Sequence, residues 1–356
     1  MKKKILIIAT TPFLNDGLTK IEMDIYDWYK EKADFEFASS FGFENRFGAK
    51  LTDEKVPTHL LSQKRNVLAY MNSIFRLVNN NNYDVIYIHG NSALMFLEAV
   101  PARFGRAKAI VAHCHNTKTN YPIVHYLAKP VFNLVLDKKI GCSSLATHWA
   151  FCGKNIITIP NGVDTDKFQY NNELRYLTRK ELGIKSETLI GHIGRFSEQK
   201  NHMKIVDVFN NYKKIDKSAK LLLIGNGEKK NEVKNRIKKN SLENDVIFID
   251  ETLRPENYMS AMDVMFMPSV FEGLCLVALE AQANGLPLVI SDKFSYETII
   301  TKYVTMIDIE ADDDTWVHAI KNSINNNGHY NISYLEKKQI DWKTMMEQIG
   351  EVVLNV

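Results

Sequence analysis

No run in the 356-residue chain comes near the ~18 consecutive apolar residues that a membrane-spanning helix needs, so no span is expected. The opening Met1-Lys2-Lys3-Lys4-Ile5-Leu6-Ile7-Ile8-Ala9 has the basic start of a secretion signal. Its apolar part ends at Ala9, however, and Pro12 and Asn15-Asp16-Gly17 follow at once, so it reads as a buried first strand. Cysteine is scarce: Cys114, Cys142, Cys152 and Cys275 have the spacing of neither a disulfide framework nor a metal site. Reduced thiols in a cytoplasmic protein are expected. A hydrophobic share of 45% with 24% charged residues excludes a disordered chain. A large excess of one charge is also lacking, with a net charge of +3, and no nucleic-acid partner is expected. The distribution is uneven, since residues 1–164 hold 20 Lys and Arg against 14 Asp and Glu, and residues 165–356 hold 25 against 28. The basic half suits an anionic partner such as the inner face of the cell membrane; an ordinary solvated surface explains it equally well.

What is present is a regular alternation. Short apolar runs at 4–9, 35–39, 56–60, 85–89 and 109–113, and again at 189–193, 220–224, 246–249, 264–267 and 288–290, alternate with helical patterns. That is the pattern of parallel β-α-β units, and the chain is too long for one core. The expected fold class is α/β, with two Rossmann-like doubly wound domains. Residues 1–165 form the first and 186–335 the second, while a final helix at 336–356 packs back on the first. Residues 118–139 mix Lys118, Lys129, Lys138 and Lys139 with Tyr121, Ile123, Tyr126, Leu127, Val131, Phe132 and Leu134. This composition fits an interfacial helix on anionic lipid, or core side chains with a rim of lysines.

The sharpest motif is Pro268-Ser269-Val270-Phe271-Glu272-Gly273-Leu274-Cys275-Leu276-Val277-Ala278-Leu279-Glu280, continuing to Gly285-Leu286-Pro287. A strand ends, a glycine-bearing turn follows, and a helix is expected from about Leu274 to Asn284. Its free first-turn amides and positive dipole end favour an anionic diphosphate. Glu272 precedes that anion site and Glu280 lies inside the helix, roughly 12 Å further along the axis at ~1.5 Å per residue. Carboxylates suit sugar and ribose hydroxyls because they only accept hydrogen bonds. The second motif is Gly191-His192-Ile193-Gly194-Arg195-Phe196-Ser197-Glu198-Gln199-Lys200. Gly194 allows a tight turn, after which Arg195 and Lys200 present two cations to the same phosphates. His113 and His115 end a buried strand at the carboxyl edge, where open α/β sheets bind ligands; core or capping histidines are the plainer reading. His89-Gly90 ends another strand in the same way.

Together with Ile159-Pro160-Asn161-Gly162-Val163-Asp164, Leu223-Ile224-Gly225-Asn226-Gly227 and Val111-Ala112-His113-Cys114-His115-Asn116, these stretches resemble glycosyltransferase family 4, retaining enzymes of the GT-B fold. The likeness is to the branch from bacterial exopolysaccharide and capsule clusters. It implies a cytoplasmic or peripheral transferase that moves a sugar from a nucleotide-diphosphate sugar, UDP being the expected nucleotide, to a saccharide or lipid-linked saccharide. The catalytic set it implies is His115, Glu272, Arg195 and Lys200. The implied donor contacts are Gly17, Gly194, Arg195, Lys200, Asn226, Glu272, the amides of Gly273, Leu274, Cys275 and Leu276, and the ribose-binding Glu280. No cofactor and no metal are implied; Asp312-Asp313-Asp314 reads as a turn before a helix. Three positions depart from the family pattern. Asp16 stands where a glycine is usual and would repel a donor phosphate, Thr19 stands in place of an acid, and Cys275 replaces a glycine or proline. Two other readings stay open: a sugar-nucleotide epimerase of the same fold, and a non-catalytic partner subunit.

Overall fold

The computed structural model describes residues 2–13, 17–43, 46–117, 119–325 and 329–356, leaving Asp16, Lys118 and the Asn326-Asn327 pair outside the described residues. The chain divides into two compact units, 1–161 with 345–356, and 162–344.

The first unit is built on seven strands: β1 (Lys3–Ala9), β2 (Ala33–Ser39), β3 (Thr58–Leu60), β4 (Val85–Gly90), β5 (Ala109–Cys114), β6 (Lys138–Gly141) and β7 (Ile156–Thr158). They lie in the order β3-β2-β1-β4-β5-β6-β7, and every pairing is parallel. The second unit carries β8 (Leu189–Ile193), β9 (Lys220–Ile224), β10 (Val246–Ile249), β11 (Val264–Met267), β12 (Leu288–Ser291) and β13 (Val304–Ile307), in the order β10-β9-β8-β11-β12-β13. This sheet too is wholly parallel.

The near-continuous apolar strands follow from burial on both faces. In β9, Leu222 and Ile224 enter one core and Leu221 and Leu223 the other, as the alternation of a strand requires. The helices His202–Tyr212 and Asp313–Asn325 cover one face through Ile205, Phe209, Trp316 and Ile320. Pro255–Ala261 and Leu276–Asn284 cover the other through Met259, Ala278, Leu279 and Ala281. Both units are doubly wound, and the two-domain Rossmann-like expectation holds.

Three differences from the sequence reading lie outside the candidate site. Strands β6, β7 and β13 were not anticipated: β6 opens with two lysines, and β7 and β13 are short edge strands. Residues 166–185, which fall between the two expected domains, belong to the second unit. Their helix Asn172–Glu181 sends buried Arg179 to the Ala261 carbonyl at 2.8 Å, and Arg175 to Asp263 at 2.5 Å. The end of the chain is two helices, Tyr334–Ile340 and Trp342–Val353, separated at Asp341. Asp341 forms a bridge with Val163. Residues 345–356 cluster with the first unit, where Gly350 leaves room for the Tyr29 hydroxyl, which an added Cβ would meet at 2.0 Å.

Candidate active site

Each sheet has one place where strand order reverses, between β1 and β4 in the first unit and between β8 and β11 in the second. Loops leaving the carboxyl ends of such strands diverge, and the crevice so formed is where ligands bind in open α/β sheets. In the second unit those two loops are the two motifs read from the sequence, 194–201 after β8 and 268–275 after β11.

The first loop is clasped by the one after β9. The Gly194 amide donates to the Ile224 carbonyl and the Phe196 amide to the Asn226 carbonyl, both at 2.9 Å. Gly225, at φ +141°, makes this approach possible, because a side chain there would meet the Gly194 carbonyl oxygen at 2.2 Å. Asn226 is therefore a backbone partner of the loop. Its side-chain oxygen accepts from Lys230 Nζ at 2.9 Å, a lysine the sequence reading missed, although it lies four residues on at the start of the next helix.

The two loops are also tied to each other. The Val270 amide donates to the Gln199 carbonyl at 2.8 Å, and Gln199 Nε2 donates to the Phe271 carbonyl at 3.0 Å. This brings Lys200 Nζ to 2.6 Å from Glu272 Oε1, and both side chains are largely removed from water. Burial opposes the Lys200 charge, but Cys275 and Glu272 outweigh it and the ammonium's pKa is raised. Burial pushes the Cys275 thiol up to about 11, so near neutral pH the thiol keeps its proton. Gly194 abuts the lysine stem, since an added Cβ would lie 3.4 Å from its Cδ and Cε. Arg195 turns outward instead, its Nε donating to exposed Glu228 at 3.2 Å.

The helix starts later than the pattern suggested, at Leu276, with Gly273 and Leu274 in a bend and extended Cys275 as the residue before it. Glu272 is held off the helix by a bridge to Phe294, its amide donating to the Lys293 carbonyl at 3.0 Å. Its separation from Glu280 is therefore not a distance along one helix axis. Glu280 is buried in the helix's second turn. Gly285 caps the helix in the left-handed region at φ +74°. A residue the reading passed over, Gln282, accepts from the Ile300 and Thr301 amides at 2.9 and 3.0 Å and donates to the Thr298 carbonyl at 2.7 Å. It fixes the chain beyond β12, where Thr298 Oγ1 donates to the Gly273 carbonyl at 3.3 Å.

Beneath the first loop lie two buried histidines. His192 Nδ1 donates to the Phe266 carbonyl at 2.9 Å, and His202 stacks on Phe196 with ring centres 4.0 Å apart. Burial, assisted by Lys200, lowers the His192 pKa to about 4. Burial, with His192 and Lys200 adding to it, lowers that of His202 to about 2. Both are neutral supports of the loop.

His115 and Gly17 belong to the first unit. Gly17 opens the helix Gly17–Tyr29. His115 follows β5, and its Nε2 lies 3.0 Å from Nδ1 of His89 near the end of neighbouring β4, a partnership the sequence did not offer. Burial drives the His115 pKa down to about 3.

The helix Pro122–Leu134 exposes Ile123, Tyr126, Leu127, Val131 and Leu134, with Tyr121 just before it, while Phe132 is buried. Core packing therefore does not account for this segment. Lys129 is its cation; Lys138 and Lys139 belong to β6, and Lys139 is buried. Among the described residues no helix is long and apolar enough to cross a membrane.

Residues 176–339 match the family model described as Glycosyl transferases group 1. The EpsF protein of Bacillus subtilis is 30% identical over 243 residues, 65% of this chain and 63% of that protein, so the match spans under two thirds of this relative's length. An Escherichia coli protein named UDP-Gal:alpha-D-GlcNAc-diphosphoundecaprenol alpha-1,3-galactosyltransferase is 25% identical over 271 residues, 70% of this chain and 68% of the relative. Among solved structures, HepE of Anabaena in complex with UDP superposes with a TM-score of 0.82 at 18% identity, covering 99% of this chain and all of that one. The architecture is thus the GT-B fold, and the matches support the resemblance to glycosyltransferases read from the sequence.

Proposed function

We propose that the chain is a retaining glycosyltransferase of family 4 type. It moves a sugar from a nucleotide-diphosphate sugar, with UDP as the nucleotide, to a saccharide or lipid-linked saccharide in cell-surface polysaccharide synthesis. The observation that carries this reading is the Lys200–Glu272 pair, held where the loops after β8 and β11 diverge, just ahead of the Leu276–Asn284 helix.

A diphosphate at that helix start meets first-turn amides and the positive dipole end. Lys200 and Arg195 supply the remaining positive charge. As the sugar–oxygen bond breaks, negative charge grows on the departing diphosphate, and these fixed donors stabilise it in proportion, without a metal in this scheme. Glu272 neutralises Lys200 before the donor arrives and accepts from a donor-sugar hydroxyl once Lys200 turns to phosphate. Glu280 accepts from the ribose. The acceptor approaches from the leaving-group side, which retains the anomeric configuration, and His115 serves the acceptor-side chemistry.

The relatives' names support the substrate class: HepE was solved with UDP and with UDP-glucose, and the Escherichia coli relative is named for UDP-galactose and a diphosphoundecaprenol-linked acceptor. A lipid-linked acceptor in turn gives the exposed apolar face of Pro122–Leu134 an occupant, an anionic membrane surface with Lys129 at its border. A thermal-shift panel of UDP-, GDP- and ADP-sugars tests the donor assignment, with the largest upward shift expected for UDP-sugars. Product analysis with donor alone separates the transferase from an epimerase, which would convert the sugar without an acceptor.

A further inference from the structure

Three imidazoles meet at the carboxyl edge of the first sheet. His89 lies in β4 and pairs in register with His113 of β5; His115 follows two residues later, its amide held by the Gly90 carbonyl at 2.9 Å. Ring centres are 5.4 Å apart for His89 and His113, 5.2 Å for His89 and His115, and 4.0 Å for His113 and His115. The positions are set by adjacent strands of one sheet, so the cluster is a product of the backbone and not of mobile side chains.

Hydrogen bonds account for only part of the ring nitrogens. His89 Nδ1 and His115 Nε2 take each other, and His113 Nδ1 lies 2.9 Å from the Tyr87 hydroxyl. His89 Nε2, His113 Nε2 and His115 Nδ1 are buried and have no hydrogen-bond partner among the described residues. Buried polar atoms are partnered in about nine cases of ten, so three orphans in one cluster call for a ligand. One nitrogen from each histidine lies within 4.8 Å of one from each of the others.

We propose that His89, His113 and His115 form a binding site for a transition-metal ion of the Zn²⁺ class. Three nitrogens around a tetrahedral ion at ~2.0–2.1 Å stand roughly 3.3 Å apart, so small side-chain rotations close the set. Nitrogen donors without a carboxylate select Zn²⁺, Co²⁺, Ni²⁺ or Cu²⁺ over Mg²⁺ and Ca²⁺. A neutral imidazole that ligates through one nitrogen carries its proton on the other. The His89–His115 hydrogen bond therefore opens as the ion enters, with partly exposed His115 turning. The Tyr87 hydroxyl accepts from His113 Nδ1–H and so orients that ring with Nε2 toward the ion. The fourth position is left to water. Because His115 is also the histidine of the proposed transfer chemistry, an ion here suppresses transfer; that consequence, unlike the site itself, rests on the proposed function.

The test is calorimetric titration of ZnCl₂ into the full chain after EDTA treatment and dialysis, with Co²⁺ absorption as the spectroscopic check. One ion per chain and the visible bands of tetrahedral Co²⁺ are expected. His89→Asn and His113→Asn should each weaken binding by at least about tenfold, and Tyr87→Phe, which keeps the ring that fills the core, by about 10–100-fold. Absence of binding, or binding that all three folded variants retain unchanged, overturns the site. Zn²⁺ that binds at the triad and leaves transfer at its metal-free rate sustains the site and removes His115 from the proposed chemistry.

Discussion

Lys200 Nζ lies 2.6 Å from Glu272 Oε1, with the two side chains only 16% and 8% exposed. Each charge is tolerated because the other is present, which makes the pair a sensitive point for stability as well as for donor binding. Lys200→Met leaves a buried carboxylate uncompensated and should cost about 3–5 kcal/mol. Lys200→Met with Glu272→Gln removes both charges and should cost clearly less than the two single losses added together. Urea unfolding of the four proteins in this cycle measures the coupling, and strict additivity would show that the two groups act independently.

Glu280 is buried one turn into the helix Leu276–Asn284. Its assignment to the ribose predicts that Glu280→Ala weakens nucleotide-sugar affinity by roughly 10–100-fold, the equivalent of one charge-assisted hydrogen bond of about 1.5–3 kcal/mol. Calorimetry on a variant with native circular dichroism checks this; unchanged affinity would remove the ribose role.

The loop after β8 rests on His192 and His202, whose pKa values are lowered to about 4 and about 2, chiefly by burial. Unfolded, each returns to about 6.5 and binds a proton below it. Their contribution to stability is therefore complete above pH ~6.5 and declines as pH falls toward the folded values, at about 1.4 kcal/mol per pH unit for each. His202→Phe keeps the stacking on Phe196 and removes one titrating group. Its unfolding free energy between pH 6 and 4.5 should fall with a slope shallower by one proton, and a slope equal to wild type would contradict this account.

Leu127 and Ile123, at 74% and 75% exposed, head the apolar face of the helix Pro122–Leu134. If that face meets anionic lipid, the protein should float with liposomes in low salt and leave them as salt is added. Leu127→Glu with Ile123→Glu should abolish flotation without lowering the melting temperature, since neither side chain is packed. Protein that stays wholly soluble at low salt would make a soluble acceptor the better assignment.

Much of this architecture is legible in the sequence because doubly buried parallel strands are written as continuous apolar runs, and ten of the thirteen strands among the described residues overlap the runs read as strands. The others are short or begin with charge, as Lys138-Lys139 does in β6, where buried Lys139 donates from Nζ to the Cys152 carbonyl at 2.9 Å. The candidate site is legible where chemistry needs a residue type at a fixed offset: Gly194, Lys200, Glu272 and Glu280 lie within the motifs that mark them. Partnership is not legible. Nothing in the spacing joins Lys200 to Glu272 across 72 residues, or His89 to His115 across 26, because adjacency in a doubly wound sheet is set by strand order and not by sequence distance. Helix onset lies two residues beyond the expected Leu274, because Leu274 and Cys275 are apolar and the bend at one and extended backbone at the other leave no mark in the pattern.

The central claim is that a nucleotide diphosphate binds where the loops after β8 and β11 diverge. Its most direct test is calorimetric titration of UDP into the wild-type chain and into Arg195→Ala, whose exposed side chain can be removed without disturbing the core. The account predicts one UDP per wild-type chain and an affinity lower by about 10-fold or more in the variant, the loss expected for one charged phosphate contact of about 1.5–3 kcal/mol. Wild-type protein that binds no nucleotide, or a variant that binds UDP as tightly as wild type, would contradict it.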